Sequence, residues 1–268
     1  MSSIGFIGAG NMANAMIRGI VSSGYAGEAD ILVSDPSQSA LSALKSRYPG
    51  ITAGSNRDVA VKADILILAV KPQFYGDVAS VISPVLRTET LIVTIAAGIT
   101  LARMEEWLGK TRRVIRTMPN TPALVGEGMT AMAPNSLASD SDKETVKALF
   151  GSFGRVIELR ESLMDPFTAL SGSSPAWVFM FIEALADGAV LKGIPRDQAL
   201  MIASQAVLGS ARMVLETGKH PGELKDSVCS PAGTTIEAVA ELEKRGFRAS
   251  VIEAVRVCTD RARSLAGG

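Results

Sequence analysis

The sequence predicts an α/β chain in two parts, a doubly wound parallel sheet followed by an all-helical domain, and three observations carry that expectation. Short β-rich runs alternate with helical patterns up to about residue 160. Beyond that point the strand and turn signals cease, and long segments place apolar residues at helical spacing. The 268 residues suffice for two cores. The change of character sets the expected division at residues 1–161 and 162–268.

The elements follow in order. "IGFIG" reads as a strand and leads into a helix from about Met12; "DILVSD", "DILILAV", "LIVTIAAG", "RVIRTMP", "MTAMAP" and "RVIELR" read as further strands. Strands that alternate with helices pair in parallel through crossover helices. In the second part, "PAWVFMFIEALADGAVL" (175–191) raises the question of a membrane span. Glu183 and Asp187 interrupt it one helical turn apart, and it is short for a bilayer. It is apolar on nearly every face, more than one small domain can bury, so it reads as an interface helix. The expectation is an obligate homodimer, with assembly of dimers into a higher oligomer left open.

Composition narrows the function. Lys plus Arg and Asp plus Glu both number 27, so no net field favours nucleic acid or an anionic membrane. Small molecules and other copies of the chain are the expected partners. Cys229 and Cys258 lie far apart, and His220 is the single histidine, which argues against a metal site or a histidine-based triad. Cys229 reads as a packing residue and His220, between Lys219 and Pro221, as a turn residue. The opening "MSSIGFIGAGNM" bends into glycines without a basic region, unlike a signal peptide, and a cytoplasmic location is expected.

The first strand runs into G-x-G-x-x-A, formed by Gly8, Gly10 and Ala13. Gly8 makes the tight turn, Gly10 lets the backbone approach a pyrophosphate, and Ala13 lets the helix lie close to the strand. A strand before the motif and a helix after it, opened by Asn11 and Met12, are the context of a Rossmann-like dinucleotide site. The second strand ends "LVSDP". A carboxylate at its tip would accept from the ribose of NAD, whereas a hydroxyl leaves room for the phosphate of NADP, and Ser34 and Asp35 are adjacent. Asn56 and Arg57 offer phosphate donors, Arg57 reading equally as a solvated charge. Two later strands end in "AVKP", with Ala69, Lys71 and Pro72, and "AAG", with Ala97 and Gly98, where the ends of parallel strands face a ligand crevice. In "RTMPNTP", Pro119 and Pro122 bracket a turn holding Asn120 beside the nicotinamide pocket.

"DSVCSPAGTTIEAVAELE" (226–243) passes from small, kinkable residues into a helical repeat. A loop without bulky side chains leaves the first helical amides uncovered, and these attract anions. Thr234 and Glu237 also fit a capping box, which would leave the earlier amides free.

"RTMPNTP", "LSGSSPAWVFMFIEALADGAV" and "SVCSPAGTTIEAVAELE", in this order behind "GFIGAGNM", resemble pyrroline-5-carboxylate reductase over nearly the whole chain. Ala232, Ser174 and Trp177 depart from the glycine, glycine and tyrosine usual there. The resemblance implies reduction of the imine of 1-pyrroline-5-carboxylate to L-proline. It favours NADPH, with NADH as a usable second cofactor. It assigns Gly233, Thr234 and Thr235 to the substrate carboxylate and ring, with Ser230 in the same loop, and places Glu161 near the ring nitrogen. It also implies that a substrate site forms where the helical domain of one chain meets the nucleotide domain of another. An imine protonates readily, so water or a hydroxyl such as that of Thr235 can supply the proton. An enzyme of the same plan acting on 3-hydroxy acids would use a lysine on its first long interdomain helix, and "SGSSPAWVFMFIEAL" has none.

Overall fold

The computed structural model describes residues 2–266, with side chains as far as residue 264. Eight strands form one sheet in the order β3-β2-β1-β4-β5-β6-β7-β8. They are β1 (Ile4–Ile7), β2 (Ile31–Ser34), β3 (Thr52–Ala53), β4 (Ile65–Leu68), β5 (Leu91–Thr94), β6 (Arg113–Met118), β7 (Gly128–Pro134) and β8 (Gly154–Glu158). All seven strands expected from the sequence are present; β3, only two residues long, was not among them. The helices among and after the strands are α1 (Asn11–Ser22), α2 (Gln38–Arg47), α3 (Asn56–Lys62), α4 (Tyr75–Ile82), α5 (Leu101–Leu108) and α6 (Asp140–Gly151). There follow α7 (Met164–Phe167), α8 (Ser174–Val190), α9 (Arg196–Thr217), α10 (Pro221–Val228), α11 (Thr234–Lys244) and α12 (Phe247–Ala266).

The double winding follows from side-chain alternation along the strands. Phe6, Val33, Ile67 and Val93 join Ile17 of α1, Leu44 of α2 and Phe150 of α6 in one core. Ile7, Leu66, Leu68 and Ile92 join Val59 of α3, Ile82 of α4 and Met104 of α5 in the other. Strands apolar on both faces suit a sheet covered on both sides, and each such side chain contributes roughly 1.5 to 3 kcal/mol on burial. Strand β1 pairs in parallel with β2 and with β4, so Ile4 faces both Ile31 and Ile65. One pairing departs from the all-parallel expectation, for β7 runs antiparallel to β6. The chain between them holds only the 3-10 turn Thr121–Val125, too short for a crossover.

The sheet unit comprises Met1–Ser173 and the chain from Cys258 onward, and Ser174–Val257 form a second compact unit. Residues after Glu161 stay with the sheet because Met164 and Phe167 pack with Ala131 and Ala133 of β7. In the second unit little is covered. Ala186 is the buried residue of α8, and Ala199 and Ala203 those of α9, while Phe179, Met180 and Met201 are each more than 60% exposed. The helical path is also longer than the apolar stretch suggests. A π-helical segment, Thr168–Ser173, joins α7 to α8, and helix continues from Glu161 to Val190. By length and composition alone, Glu161–Val190 and Arg196–Thr217 are each long and apolar enough to cross a membrane.

Helix α1 is packed tightly at Gly19, where the Phe153 side chain between α6 and β8 comes up against it. A Cβ on Gly19 would run into the Phe153 side chain, whereas one on Gly76 of α4 would meet no heavy atom within 4 Å. Helix propensity favours alanine at both places by about 1 kcal/mol, but overpacking costs about 1 to 3 kcal/mol. Gly19→Ala should therefore lower the thermal midpoint and Gly76→Ala should leave it unchanged or raise it. Thermal melts of the two variants followed by circular dichroism check the opposite signs.

Candidate active site

The turn after β1 is built by close approach. Gly8 has φ +108°, and a Cβ there would lie 2.5 Å from the Ala69 carbonyl oxygen. Gly10 is the N-cap of α1, and no side chain bonds to its first turn. A Cβ on Gly10 would stand in open space, meeting nothing within 4 Å, and Ala13 behind it is 1% exposed. The loop is held from two sides. The amide of Gly8 donates to Ser34 O at 2.7 Å and that of Ala9 to Asp35 Oδ2 at 2.7 Å. Asn14 Nδ2 donates to the carbonyls of Ala9 and Gly10 at 2.7 and 3.0 Å. Two repelling carbonyls are thereby occupied, and the first-turn amides of α1, including those of Asn11 and Met12, remain as donors to an anion. Free space at Gly10 beside free amides fits a dinucleotide pyrophosphate. Asn14 was missed in the sequence; an asparagine in the second turn of the fingerprint helix was the available signal.

The other residues expected at the cofactor gather at the same ends of the parallel strands. Ser34 closes β2, is buried, and donates to Asn56 Oδ1 at 2.6 Å. Asn56 opens α3, with Arg57 exposed beside it. Ala69 follows β4; Lys71 is exposed and precedes a 3-10 turn begun by Pro72. Ala97 is exposed and Gly98 has φ +77° in the loop after β5. Because β1 stands between β2 and β4, these ends lie at the switch point of the sheet, where such folds open a crevice. Beneath it, Tyr75 donates to Leu68 O at 2.6 Å and lies 2.9 Å from Thr94 Oγ1. Burial pushes its phenol well above the usual range, so it acts as a neutral brace.

Two expected residues are engaged within the fold. Asn120 is buried; its Nδ2 donates to Ser171 O and Oγ, both at 3.1 Å, and its Oδ1 accepts from the Met129 amide at 2.8 Å. Its side chain braces the turn whose backbone the sequence places beside the nicotinamide pocket. Glu161 Oε1 accepts from the Leu101 amide at 2.7 Å and from Arg116 Nη1 at 3.0 Å. Arg116 is 5% exposed, and Asp165 also approaches it, at 3.9 Å. One oxygen of the Glu161 carboxylate thus serves both a buried guanidinium and the first amide of α5.

The second place is the mouth of α11. Gly233, extended at φ −83° and ψ 168°, is its N-cap, and no side chain accepts from the first turn. This corrects the capping box. Thr234 is already helical, so Glu237 falls one position beyond the third residue and cannot reach back. The amides of Thr234 and Thr235 are left without a side-chain acceptor. By contrast α2, α3, α5 and α6 are each capped by a serine or threonine, Ser37, Ser55, Thr100 and Ser139. The preceding turn is closed by the Gly233 amide donating to Ser230 O at 3.0 Å, and a Cβ on Gly233 would collide with Ser230 Oγ. Ala232 has φ +54°, alone among the described non-glycine residues in a positive φ. That conformation costs a side chain roughly 1 to 2 kcal/mol. His220 is the N-cap of α10 rather than a plain turn residue, its Nδ1 accepting from the Gly222 amide at 3.1 Å. Among the described residues no three His, Cys, Asp or Glu side chains could together hold a metal.

Comparison with known proteins places the chain in a family. Residues 161–265 match the family described as pyrroline-5-carboxylate reductase dimerisation, and residues 3–98 that described as NADP oxidoreductase coenzyme F420-dependent. The pyrroline-5-carboxylate reductase of Escherichia coli (strain K12) is 50% identical over 262 residues, covering 98% of this chain and 97% of that protein. That of Glycine max is 44% identical over 98% of this chain and 96% of its own length. Among solved structures, the Coxiella burnetii enzyme superposes with a TM-score of 0.93 at 36% identity, covering 98% of each chain. The Plasmodium falciparum enzyme, solved with NADP bound, superposes with a TM-score of 0.89 at 32% identity, covering 99% of this chain and 98% of that one. At half identity over nearly the full length of both chains, the protein belongs to the pyrroline-5-carboxylate reductase family.

Proposed function

We propose that the chain reduces the imine of 1-pyrroline-5-carboxylate to L-proline, the last step of proline synthesis, with NADPH as reductant and NADH as a usable substitute. The observation that carries this reading is the glycine-capped mouth of α11 in a chain of this family. The substrate is a small ring bearing a carboxylate and an imine. Bare amides grip the carboxylate without a buried lysine or arginine, which would repel an iminium. Gly233, Thr234 and Thr235 would hold the carboxylate and ring, with Ser230 closing the turn behind them. Thr235, partly exposed at the second helical position, is the hydroxyl available to the ring nitrogen.

The reduced nicotinamide supplies the hydride when the cofactor is bound. Gly8, Gly10, Asn11 and Met12 would receive its pyrophosphate, Ser34 and Asn56 its adenosine end, and Ala69, Lys71, Pro72, Ala97 and Gly98 the rest of the crevice. Asn120 would hold the turn beside the nicotinamide. Glu161 would act through Arg116 and α5, or near the substrate as the family resemblance suggests. Holding both reactants in line supplies roughly 7 to 11 kcal/mol in well-oriented systems, so no strong acid is required.

The exposed apolar faces of α8 and α9 need a cover, and a second copy of the chain is the reading the family's dimerisation region supports. A bilayer fits them less well, because Glu183 and Asp187 lie within α8 and Arg196 pairs with Asp187. We therefore read the protein as a cytoplasmic homodimer, open to further assembly, with the interface carried by the helical unit that begins at Ser174 rather than at residue 162.

Three outcomes test this. Thr235→Ala should lower kcat/KM for pyrroline-5-carboxylate about ten- to a hundredfold, from loss of a bond to a charged ligand, with KM for NADPH unchanged. Exposed Glu237, changed to Gln, serves as the control, and a Thr235→Ala loss that merely follows a fall in melting temperature would reduce the mouth to a structural turn. Gly10→Val should abolish binding of NADPH and NADH with the circular dichroism spectrum intact, because φ −72° at Gly10 suits any residue and only the ligand's space is filled. Sedimentation at assay concentrations should give a dimer or larger, and a fully active monomer would contradict the reading of the helical faces.

A further inference from the structure

The carboxylate of Asp35 has two partners inside the protein. Asp35 follows the last residue of β2, and an acid at that tip would be expected to accept from the ribose hydroxyls of a bound nucleotide. Here Oδ2 accepts from the amide of Ala9 at 2.7 Å and Oδ1 from the amide of Ser37 at 2.8 Å. Ala9 stands between the two fingerprint glycines and is 4% exposed. Ser37 is the side-chain cap of α2. One carboxylate therefore joins the glycine turn to the start of the next helix, and the preceding amide, that of Gly8, is tied to Ser34 O.

We infer that Asp35 is a positioning residue that holds the Gly8–Gly10 turn through Ala9 and takes no part in choosing between NADPH and NADH. The inference rests on the nucleotide reading of the crevice proposed above. A buried amide keeps its place only with an acceptor, and a charged acceptor makes the stronger bond. The turn has no ladder or helical bond for the Ala9 amide, so this role falls to Asp35. With both oxygens directed at backbone amides, the carboxylate is not presented as a bidentate acceptor to ribose. Choice of cofactor is then left to Ser34, Asn56 and Arg57.

The test is titration of the wild-type chain, Asp35→Ala and Asp35→Asn with NADPH and with NADH, followed by nicotinamide fluorescence, with KM and kcat measured for each nucleotide. Asp35→Ala should weaken both nucleotides by about tenfold, the loss of a charge-assisted anchor, with the ratio of the two Kd values unchanged and kcat at saturation near wild type. Asp35→Asn should bind both within about threefold of wild type, because its amide oxygen still accepts from Ala9. Selective loss of NADH in either variant, with NADPH unchanged or tighter, would overturn the inference in favour of a ribose acceptor. Wild-type affinity for both nucleotides in Asp35→Ala would overturn it too, since the turn would then need no anchor. Should Asp35→Ala fail to fold, Asp35→Asn decides by itself: an unchanged ratio upholds the inference and a shifted ratio overturns it. A wild-type chain that binds neither nucleotide overturns the reading of the crevice, and this inference with it.

Discussion

Helices α1 and α11 begin on glycine where α2, α3, α5 and α6 begin on a hydroxyl, and much of the surrounding structure serves that difference. A serine or threonine cap uses its oxygen to satisfy the first turn, as at α2, α3, α5 and α6. At α1 and α11 the cap is Gly10 or Gly233 and the first turn keeps its donors. Leaving amides bare has consequences nearby. The turn before α1 must be held by other means, which Ser34, Asp35 and Asn14 provide, and the turn before α11 closes on itself through Ser230. Bulk is excluded from both turns for the same reason.

The sheet unit contains a second constraint, the buried guanidinium of Arg116. A charge out of water is costly unless paired and hydrogen-bonded. Glu161 and Asp165, one on each side of the start of α7, supply that pairing, and Glu161 also satisfies the first amide of α5. Asn120 does comparable work for the turn after β6 by bonding to Ser171 and Met129. Loops at the crevice are thus anchored to the segment Glu161–Ser173, the reason that segment belongs with the sheet.

The helical unit shows the opposite economy. Few of its residues are buried in the isolated chain, and large apolar side chains, Phe179 and Met180 among them, stand open. Such a unit cannot be stabilised by its own burial, because apolar area removed from water is the dominant favourable contribution to folding. A helical unit of this kind makes structural sense as half of a larger core.

Much was legible in the sequence because the signals were local. Seven strands, the glycine turn, the helical second part and the small residues before α11 all follow from periodicity and backbone freedom, properties of neighbouring residues. Local pattern fell short where a single residue of register mattered. Thr234 and Glu237 have the composition of a capping box, yet the helix starts one residue too early to use it. The short β3 carries no periodicity, and the antiparallel turn of β7 depends on a connection too short to cross over. Tertiary structure alone decided where polar side chains point. Asp35 and Ser34 sit side by side in the sequence, but one faces the glycine turn and the other Asn56. Glu161 and Asn120 likewise found partners far along the chain, because a buried charge or amide must be satisfied by whatever the fold brings to it, and sequence distance does not limit that choice.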